Sequence, residues 1–237
     1  MSGFEILKWD SDFFGFKVAK ITAKNVNKAE LESLLKELKT LNVSLAYFAA
    51  DTKDFLSIEA AESLNGFFTG QKVTYVLTLE YSKESHLSKN KKIKKFVEKK
   101  PDKDLINLIV DGGKFSRFYL DPKIKNKQYV ELHKLWITNS VKNNTIFVIE
   151  NNEKIIAFVS LNEKNNRGNI DFIVVDKNHR GKGLATKLME YAHIWFVLNG
   201  YKTVRADTQI KNINACKMYE KLGYKKEKVE KIYHFWI

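Results

Sequence analysis

The sequence predicts an α/β protein built around a mixed β-sheet. Segments with apolar residues at helical spacing, such as the five leucines from Leu31 to Leu41, alternate with short apolar runs that are typical of strands. The run from Val73 to Tyr81 has an apolar residue at every second position, which indicates a strand with one buried face. The chain has 237 residues, of which 44% are hydrophobic, and this suffices for one large domain or two modest ones.

Residues 1–100 are predicted to form a small N-terminal α/β domain. Phe13 to Ile21 and Val43 to Ala49 have the apolar composition of strands, and Ala29 to Leu41 places an amphipathic helix between them. The stretch from Ser82 to Lys100 is rich in lysine, and we interpret it as a linker or a solvated helix face. The domain boundary is placed in this stretch.

Residues 101–237 are predicted to form a second domain in which helices and strands alternate. The predicted helices are Asp104 to Val110, Tyr129 to Ser140, Gly183 to Leu198 and Asn212 to Leu222. The predicted strands are Thr145 to Glu150, Lys154 to Leu161, Asn169 to Val175, Thr203 to Asp207 and Ile232 to Ile237. The segment from Asp111 to Phe118 begins with a glycine pair and is predicted to be a loop.

The net charge of +13 comes almost entirely from lysine, because the chain has only four arginines. Arginine dominates base readout and forked phosphate contacts, so its scarcity argues against a nucleic-acid partner. A lysine-rich solvated surface accounts for the charge. The other interpretation is that the positive electrostatic field of the protein attracts anionic substrates.

Composition also bears on location and on metal binding. Met1 to Trp9 lacks the apolar run of a signal peptide, and no window approaches the roughly 20 apolar residues of a membrane helix. We therefore expect a cytoplasmic protein with no membrane partner. The single cysteine, Cys216, excludes an intrachain disulfide. The five histidines lack the spacing of metal ligands, so no metal site is expected.

A glycine-rich turn between a strand and a helix is the strongest functional signal. The segment from Val175 to Ala185 runs from a strand through Gly181 and Gly183 into a long helix. Backbone N–H groups of such a turn point into one concavity, and the helix dipole adds positive potential there. Glycine also lets the backbone approach a pyrophosphate closely. The spacing matches neither a P-loop nor a dinucleotide fingerprint, and ordinary turns use Gly-x-Gly as well.

A second motif follows from Asn212 to Tyr224, with the pattern Asn-x-x-Ala-x-x-Met-Tyr-Glu-Lys-Leu-Gly-Tyr. By itself it also fits a plain amphipathic helix capped by Gly223. The first segment, from Arg180 to Ala185, resembles the signature Arg/Gln-x-x-Gly-x-Gly/Ala of the GNAT superfamily of N-acetyltransferases. The second motif resembles another conserved pattern of the same superfamily.

The resemblance implies a GNAT fold and acetyl-coenzyme A as co-substrate. In that family the turn holds the cofactor pyrophosphate, and the matching residues here are Arg180, Gly181, Lys182, Gly183, Leu184 and Ala185. The strand before the turn lends backbone groups to the pantetheine arm, and by position these belong to Ile173 and Val175. Asn212 is expected to contact the arm, and the Tyr219 hydroxyl is expected near the thioester sulfur.

Other segments resemble the dTDP-fucosamine acetyltransferase-like enzymes, a narrower group that carries a small N-terminal α/β domain before the GNAT domain. These segments are Trp9 to Gly15, Ser116 to Phe118, Asp121-Pro122, Leu135 to Ile137, Asp207 to Gln209 and Tyr233 to Ile237. The resemblance implies that the acceptor is the amine of a nucleotide-linked amino sugar. The chain departs from the group's pattern at Gly112 to Phe115 and at His133.

Two residues are candidates for proton transfer. Tyr219 is the candidate general acid toward the coenzyme A sulfur, with packing as its alternative role. Asp171 is the candidate base, because its strand parity with Ile173 and Val175 predicts that all three face the same side. A surface carboxylate or an anchor for the substrate amine are the alternatives for Asp171.

The acceptor site is expected to use Arg117, whose planar fork suits a pyrophosphate. The other residues expected to line it are Phe115, Ser116, Gln209 and His234. A small-molecule amine is therefore the expected partner, and a homodimer is one expected assembly. Two other interpretations stay open: a GNAT enzyme acting on a different amine, and a non-catalytic sensor that keeps the cofactor fold.

Overall fold

The computed structural model describes residues 3–80 and 92–237. The strands are β1 (Phe4–Ile6), β2 (Lys17–Ile21), β3 (Val43–Asp51), β4 (Phe67–Thr78), β5 (Ile93–Lys95), β6 (Thr145–Asn151), β7 (Lys154–Lys164), β8 (Arg167–Val175), β9 (Thr203–Gln209) and β10 (Lys225–Trp236). The helices are α1 (Lys8–Phe14), α2 (Lys28–Thr40), α3 (Phe55–Ser63), α4 (Lys103–Gly112), α5 (Arg117–Leu120), α6 (Asn126–Asn143), α7 (Leu184–Leu198) and α8 (Ile213–Lys221). Within these ranges no helix combines the length and the hydropathy needed to cross a membrane.

All the strands join one sheet in the order β1-β2-β3-β10-β4-β9-β8-β7-β6-β5. The pairs β2–β3 and β8–β9 are parallel, and the other neighbouring strands are antiparallel. The prediction of an α/β protein with a mixed sheet is thereby confirmed.

Each face of the sheet is covered by its own set of helices. Helices α2, α3, α7 and α8 pack on one face, which we call the α7 face, and α1, α4, α5 and α6 pack on the opposite α6 face. Strand alternation separates the two cores. In β3, for example, Ala46 and Phe48 pack with α2, whereas Leu45 and Tyr47 pack with α6.

Strands from the first and last parts of the chain are interleaved. Strand β10 lies between β3 and β4, so that Ile232 is opposite Ala49 on one side and Gly70 on the other. Strand β4 in turn pairs with β9, where Thr74 is opposite Asp207. The sheet is therefore continuous across the expected boundary between residues 1–100 and 101–237. The division of the chain into two folding units at this boundary remains a prediction.

The strand prediction for Phe13 to Ile21 is wrong in its first part. Lys8–Phe14 is a helix, and Gly15 ends it in the left-handed conformation with φ 76°. The Ser11 hydroxyl reinforces the reversal by donating to the Leu7 carbonyl at 2.7 Å and accepting from the Val18 N–H at 2.9 Å. The strand therefore begins only at Lys17.

The loop prediction for Asp111 to Phe118 is also wrong. A 3-10 turn over Gly113–Phe115 leads into the short helix α5, which the Ser116 hydroxyl caps by accepting from the Tyr119 N–H. Helix α5 lies over β4 on the α6 face. Of the lysine-rich stretch, residues 82–91 lie outside the described residues, and Ile93–Lys95 pair with β6 as an edge strand.

Candidate functional site

The parallel strands β8 and β9 separate after three paired positions. Residues 168–170 of β8 pair with residues 204–206 of β9, and no further pair links the two strands within their described ranges. Strand β8 nevertheless continues to Val175 and β9 to Gln209, held by β7 and β4 respectively. Backbone groups of a strand point alternately to its two neighbours. In residues 171–175, the backbone groups that point toward β9 therefore have no partner in that strand. These groups line a V-shaped opening between the two strands.

The turn that follows β8 has the geometry of an anion site. Gly181 and Gly183 have φ values of 77° and 71°, which other residues rarely adopt. A Cβ at either position would meet no protein atom within 4 Å, so the space in front of the turn is open. Gly183 precedes α7 without a side-chain cap. The first N–H groups of α7 are thus available, and the helix dipole favours an anion there.

Arg180 is turned away from this open space. Its Nε donates to the Val175 carbonyl at 3.1 Å, and its Nη2 lies 3.2 Å from Asp111 Oδ2 at the end of α4. Hydrogen bonding and charge from Lys114, with help from Arg180, hold the pKa of Asp111 below its ordinary value. Arg180 therefore fastens the end of β8 to α4, while Lys182 is exposed beside the turn.

Helix α8 presents two further residues of the predicted cofactor site. Asn212 caps the helix, because its Oδ1 accepts from the Ala215 N–H at 3.4 Å. Tyr219 is 2% exposed, and its ring lies 5.3 Å from that of Tyr75 in β4. No group in the described part of the chain hydrogen-bonds its hydroxyl. Burial and the nearby Asp207 carboxylate raise the pKa of Tyr219, so the hydroxyl keeps its proton at neutral pH.

The strand-parity prediction for Asp171 is wrong, because β8 carries a bulge at this residue. Leu161 of β7 is opposite Ile170, and the preceding Ser160 is opposite Phe172. Asp171 is therefore an extra residue in the ladder. The alternation of side chains along β8 shifts by one position there, and a count along the sequence cannot detect the shift.

The bulge directs the Asp171 carboxylate to the α6 face, whereas Ile173 and Val175 pack with the core on the α7 face. Its Oδ2 accepts from Ser140 Oγ at 3.0 Å and from Asn144 Nδ2 at 2.8 Å. Burial raises the pKa of Asp171 above its ordinary value, although these two hydrogen bonds act in the opposite direction. The carboxyl group is thus more basic than an exposed aspartate.

A row of charged side chains crosses β9, β4 and β10 on the α6 face, and the sequence analysis missed it. Arg205 Nη2 lies 2.8 Å from both carboxylate oxygens of Asp207, and Thr74 Oγ1 donates to Asp207 at 2.7 Å. Lys72 pairs with Glu230 at 2.9 Å. Despite burial, the bonds from Thr74 and Arg205 lower the pKa of Asp207. The charged residues of β9, β4 and β10 become neighbours only through the pairing register of the three strands. The alternation of apolar residues within β4 could therefore not have identified the row.

Arg117 lies over aromatic rings. Its guanidinium carbon is 3.8 Å from the centre of the Tyr47 ring and 4.5 Å from that of Phe118. Among the described residues, no carboxylate lies within ion-pair distance of this guanidinium. Burial lowers the pKa of Arg117, but arginine stays charged at any physiological pH. Its forked donors are therefore available to an added anion.

The other expected acceptor residues lie on or near α5, and the His234 ring is 6.2 Å from that of Phe118. His234 is buried, and its Nδ1 is 2.6 Å from Asp121 Oδ2, which also accepts from the Trp236 indole at 2.9 Å. Burial lowers the pKa of His234 in spite of this carboxylate. The Gln209 amide oxygen packs over Gly70 of β4 beside α5. Ser116 caps α5, and the adjoining Phe115 is exposed.

Replacing Gly183 with valine tests the anion site. Valine at a left-handed φ costs about 1–2 kcal/mol of stability, and its side chain would occupy the space where the backbone meets a phosphate. Loss of one charge-assisted bond, about 1.5–3 kcal/mol, lowers acetyl-coenzyme A affinity roughly 10- to 100-fold. The matched control is Gly200→Val, since Gly200 has φ 83° and equally open surroundings after α7. Calorimetric titration should show weakened binding for Gly183→Val alone, and equal affinities in the two variants would contradict the assignment.

Residues 114–224, which contain the separated strands, the glycine turn and α8, match the model of the acetyltransferase (GNAT) family. Streptothricin acetyltransferase of Escherichia coli is 36% identical over 73 residues, which are 30% of this chain and 42% of that protein. The spore coat polysaccharide biosynthesis protein SpsD of Bacillus subtilis (strain 168) is 24% identical over 134 residues, 56% of this chain and 46% of that protein. The chain thus spans less than half the length of either relative.

The fold is also found among solved structures. A GCN5-related N-acetyltransferase from Sphaerobacter thermophilus matches with a TM-score of 0.61 and 10% identity, over 98% of this chain and 75% of that chain. This likeness concerns the fold alone. The family match covers residues 114–224, a little under half of the chain, and this region is similar to the N-acetyltransferases of the GNAT family, which use acetyl-coenzyme A as co-substrate.

Proposed function

We propose that this chain acetylates the amine of a small molecule at the expense of acetyl-coenzyme A, and that the acceptor is a nucleotide-linked amino sugar. One observation carries the first part of the proposal. The opening between β8 and β9 has the anion turn, with Gly181 and Gly183, at one end. The residues of β8 that border the opening pack in the same hydrophobic core as Tyr219 of α8. A thioester, its pyrophosphate anchor and a hydrogen-bond donor for the sulfur can therefore be held by one part of the sheet.

In this mechanism the chain binds and orients the reactants. Acetyl-coenzyme A, when bound, supplies the acetyl group as a thioester. The turn and the first N–H groups of α7 would hold the pyrophosphate, and backbone groups of Ile173 and Val175 would hold the pantetheine arm. An N–H on the same edge of β8 with no partner in β9 would supply a hydrogen bond that stabilises negative charge on the thioester carbonyl oxygen. Well-oriented reactants can gain about 7–11 kcal/mol of barrier lowering from positioning.

Tyr219 supports departure of the sulfur. An ordinary thiol has a pKa of about 8.5, well below the raised pKa of Tyr219. Complete proton transfer from the hydroxyl to the thiolate is therefore uphill. We infer that the hydroxyl stabilises the leaving thiolate chiefly as a hydrogen-bond donor, and that the thiolate takes its proton from water or from the acceptor side.

Asp171 is the proposed base, although it faces the α6 side. It directly follows Ile170, the last residue of β8 that pairs with β9, and so it lies at the point where the opening begins. Its raised pKa suits proton removal better than the lowered pKa of Asp207, the other carboxylate near the opening. Asp171 accepts the amine proton directly or through one water molecule.

Three observations support a nucleotide-linked acceptor. Arg117 is charged and has no carboxylate partner within the described residues, and a planar fork suits a phosphate better than an ammonium group does. The net charge of +13 attracts anions. The chain is also similar to SpsD, which is named for polysaccharide biosynthesis.

A different amine is the second candidate acceptor, and the similarity to streptothricin acetyltransferase favours it. The charge argues against a strongly cationic acceptor, because like charges repel. A non-catalytic sensor would also need the cofactor turn. It would have no need of the tyrosine hydroxyl near the sulfur, and the chain retains Tyr219.

The variant Tyr219→Phe tests the role of the hydroxyl. It should lower kcat by about 10²- to 10³-fold, as for the loss of one charge-stabilising donor, and leave acetyl-coenzyme A affinity nearly unchanged. Tyr224→Phe is the matched control, because this ring lies 5.3 Å from Tyr219 and loses only a hydroxyl bonded to His193. Rates of thiol release should fall in the first variant only. Wild-type turnover of Tyr219→Phe would reduce Tyr219 to a packing residue.

A panel of amines tests the acceptor. Thiol release is measured with dTDP- and UDP-linked 4-amino sugars, free amino sugars, lysine peptides and spermidine. Turnover should be confined to the nucleotide-linked sugars, and Arg117→Lys should raise their KM roughly tenfold through loss of one forked contact. The KM of acetyl-coenzyme A should not change. Efficient turnover of peptides or spermidine, with none for the nucleotide sugars, would disprove the acceptor class and leave the family assignment intact.

A further inference from the structure

A cavity of about 400 Å³ opens on the α6 face between the second half of α6 and the middle of β8. Its volume is in the range of small-molecule sites. It is lined by Trp136, Asn139, Asn143, Asn162, Asp171 and Phe172, together with the groups that bond the Asp171 carboxylate. The cavity begins at the bulge, where β8 leaves β9, and so it adjoins the opening assigned to the thioester.

The lining combines an apolar surface with amide groups. The rings of Trp136 and Phe172 lie 6.4 Å apart and are inclined by 27°. Asn139 and Asn143 follow Trp136 on the same side of α6, at intervals of three and four residues. Each amide offers donors and an acceptor, as each sugar hydroxyl also does. A sugar ring, with a C–H face and a rim of hydroxyls, matches both parts of this lining.

The charge of the cavity lining indicates which part of the acceptor, the sugar or the pyrophosphate, the cavity can bind. Asp171 is its ionisable group, and neither lysine nor arginine is among the lining residues in the described part of the chain. Lys164 acts on Asp171 from outside the cavity lining, and a carboxylate with no cation in the lining itself disfavours a phosphate and favours a hydroxyl or an amine. The cavity therefore suits an uncharged or cationic sugar and does not suit a pyrophosphate.

A row of aromatic rings connects the cavity with the unpaired arginine. The Trp136 ring lies 5.5 Å from the Phe118 ring, and the Phe118 ring lies 4.5 Å from the Arg117 guanidinium carbon. Phe118 is buried, so this row lies beneath the surface, but it shows that the cavity and the candidate phosphate site are close together on the α6 face. An acceptor with a sugar at one end and phosphates at the other can span the two sites.

We propose that the cavity between α6 and β8 binds the amino-sugar ring of the acceptor, with its phosphates directed toward Arg117. This assignment rests on the proposed function. Asn139 and Asn143 are its specificity-determining residues, because they present their amides at the rim of the cavity from exposed helix positions. Asp171 receives the amine end of the ring.

The double variant Asn139→Ala, Asn143→Ala tests the cavity. Alanine favours helix more than asparagine does, so α6 should stay folded. The matched control is Lys142→Ala, on the same helix turn but outside the cavity lining. The probe is dTDP-glucose, which lacks an amine and so is not consumed. Calorimetry should show that the double variant binds it roughly tenfold more weakly, as for the loss of one or two hydrogen bonds, whereas Lys142→Ala binds it as the wild type does.

Equal affinity of the wild type and the double variant for dTDP-glucose overturns the cavity assignment, even when nucleotide-linked amino sugars are turned over. If the wild type does not bind dTDP-glucose, the same variants are compared by the KM of the amine that the panel selects. If the KM rises in the double variant and not in Lys142→Ala, the cavity is supported as the acceptor site, and the acceptor is then an amine without a nucleotide. An unchanged KM overturns it.

Discussion

The separation of β8 from β9 after Ile170 is the constraint on which the site depends. A parallel pair that continued to Val175 would bond its own backbone groups and close the opening. The structure prevents closure by holding each strand from outside, β8 through β7 and β9 through β4. Because β4 comes from the first part of the chain, that part helps to build the site as well as extend the sheet.

The bulge at Asp171 gives the two faces of the opening different chemistry. Beyond it, Ile173 and Val175 belong to the α7 face, together with Tyr219 and the helix that carries the anion turn. Asp171 belongs to the α6 face, with the amide-lined cavity. In the proposed mechanism, coenzyme A and acceptor approach one carbonyl group from opposite sides of the sheet. The proposal assigns their charged parts, which would repel each other, to Gly181–Gly183 and to Arg117 respectively.

The fold class was predictable because apolar periodicity is local. Helix α2 and strand β3 were predicted to within two residues at each end, and the glycine turn pointed to the family whose model matches residues 114–224. Pairing register is not local, and the misplaced features depend on it. The bulge at Asp171, the alignment of Arg205 and Asp207 with β4, and the place of β10 between β3 and β4 all join residues distant in sequence. The cavity was missed for the same reason, since α6 and β8 meet only in the fold.

Amide hydrogen exchange tests the account most directly. The free edge of β8 should exchange readily in the absence of ligand and become protected when saturating acetyl-coenzyme A is added. The account predicts that protection is concentrated in residues 171–175 and 181–185 and is absent from β1 and β2 at the far edge of the sheet. Unchanged exchange in residues 171–175, with binding verified by calorimetry in the same sample, would contradict the claim that the opening between β8 and β9 holds the thioester.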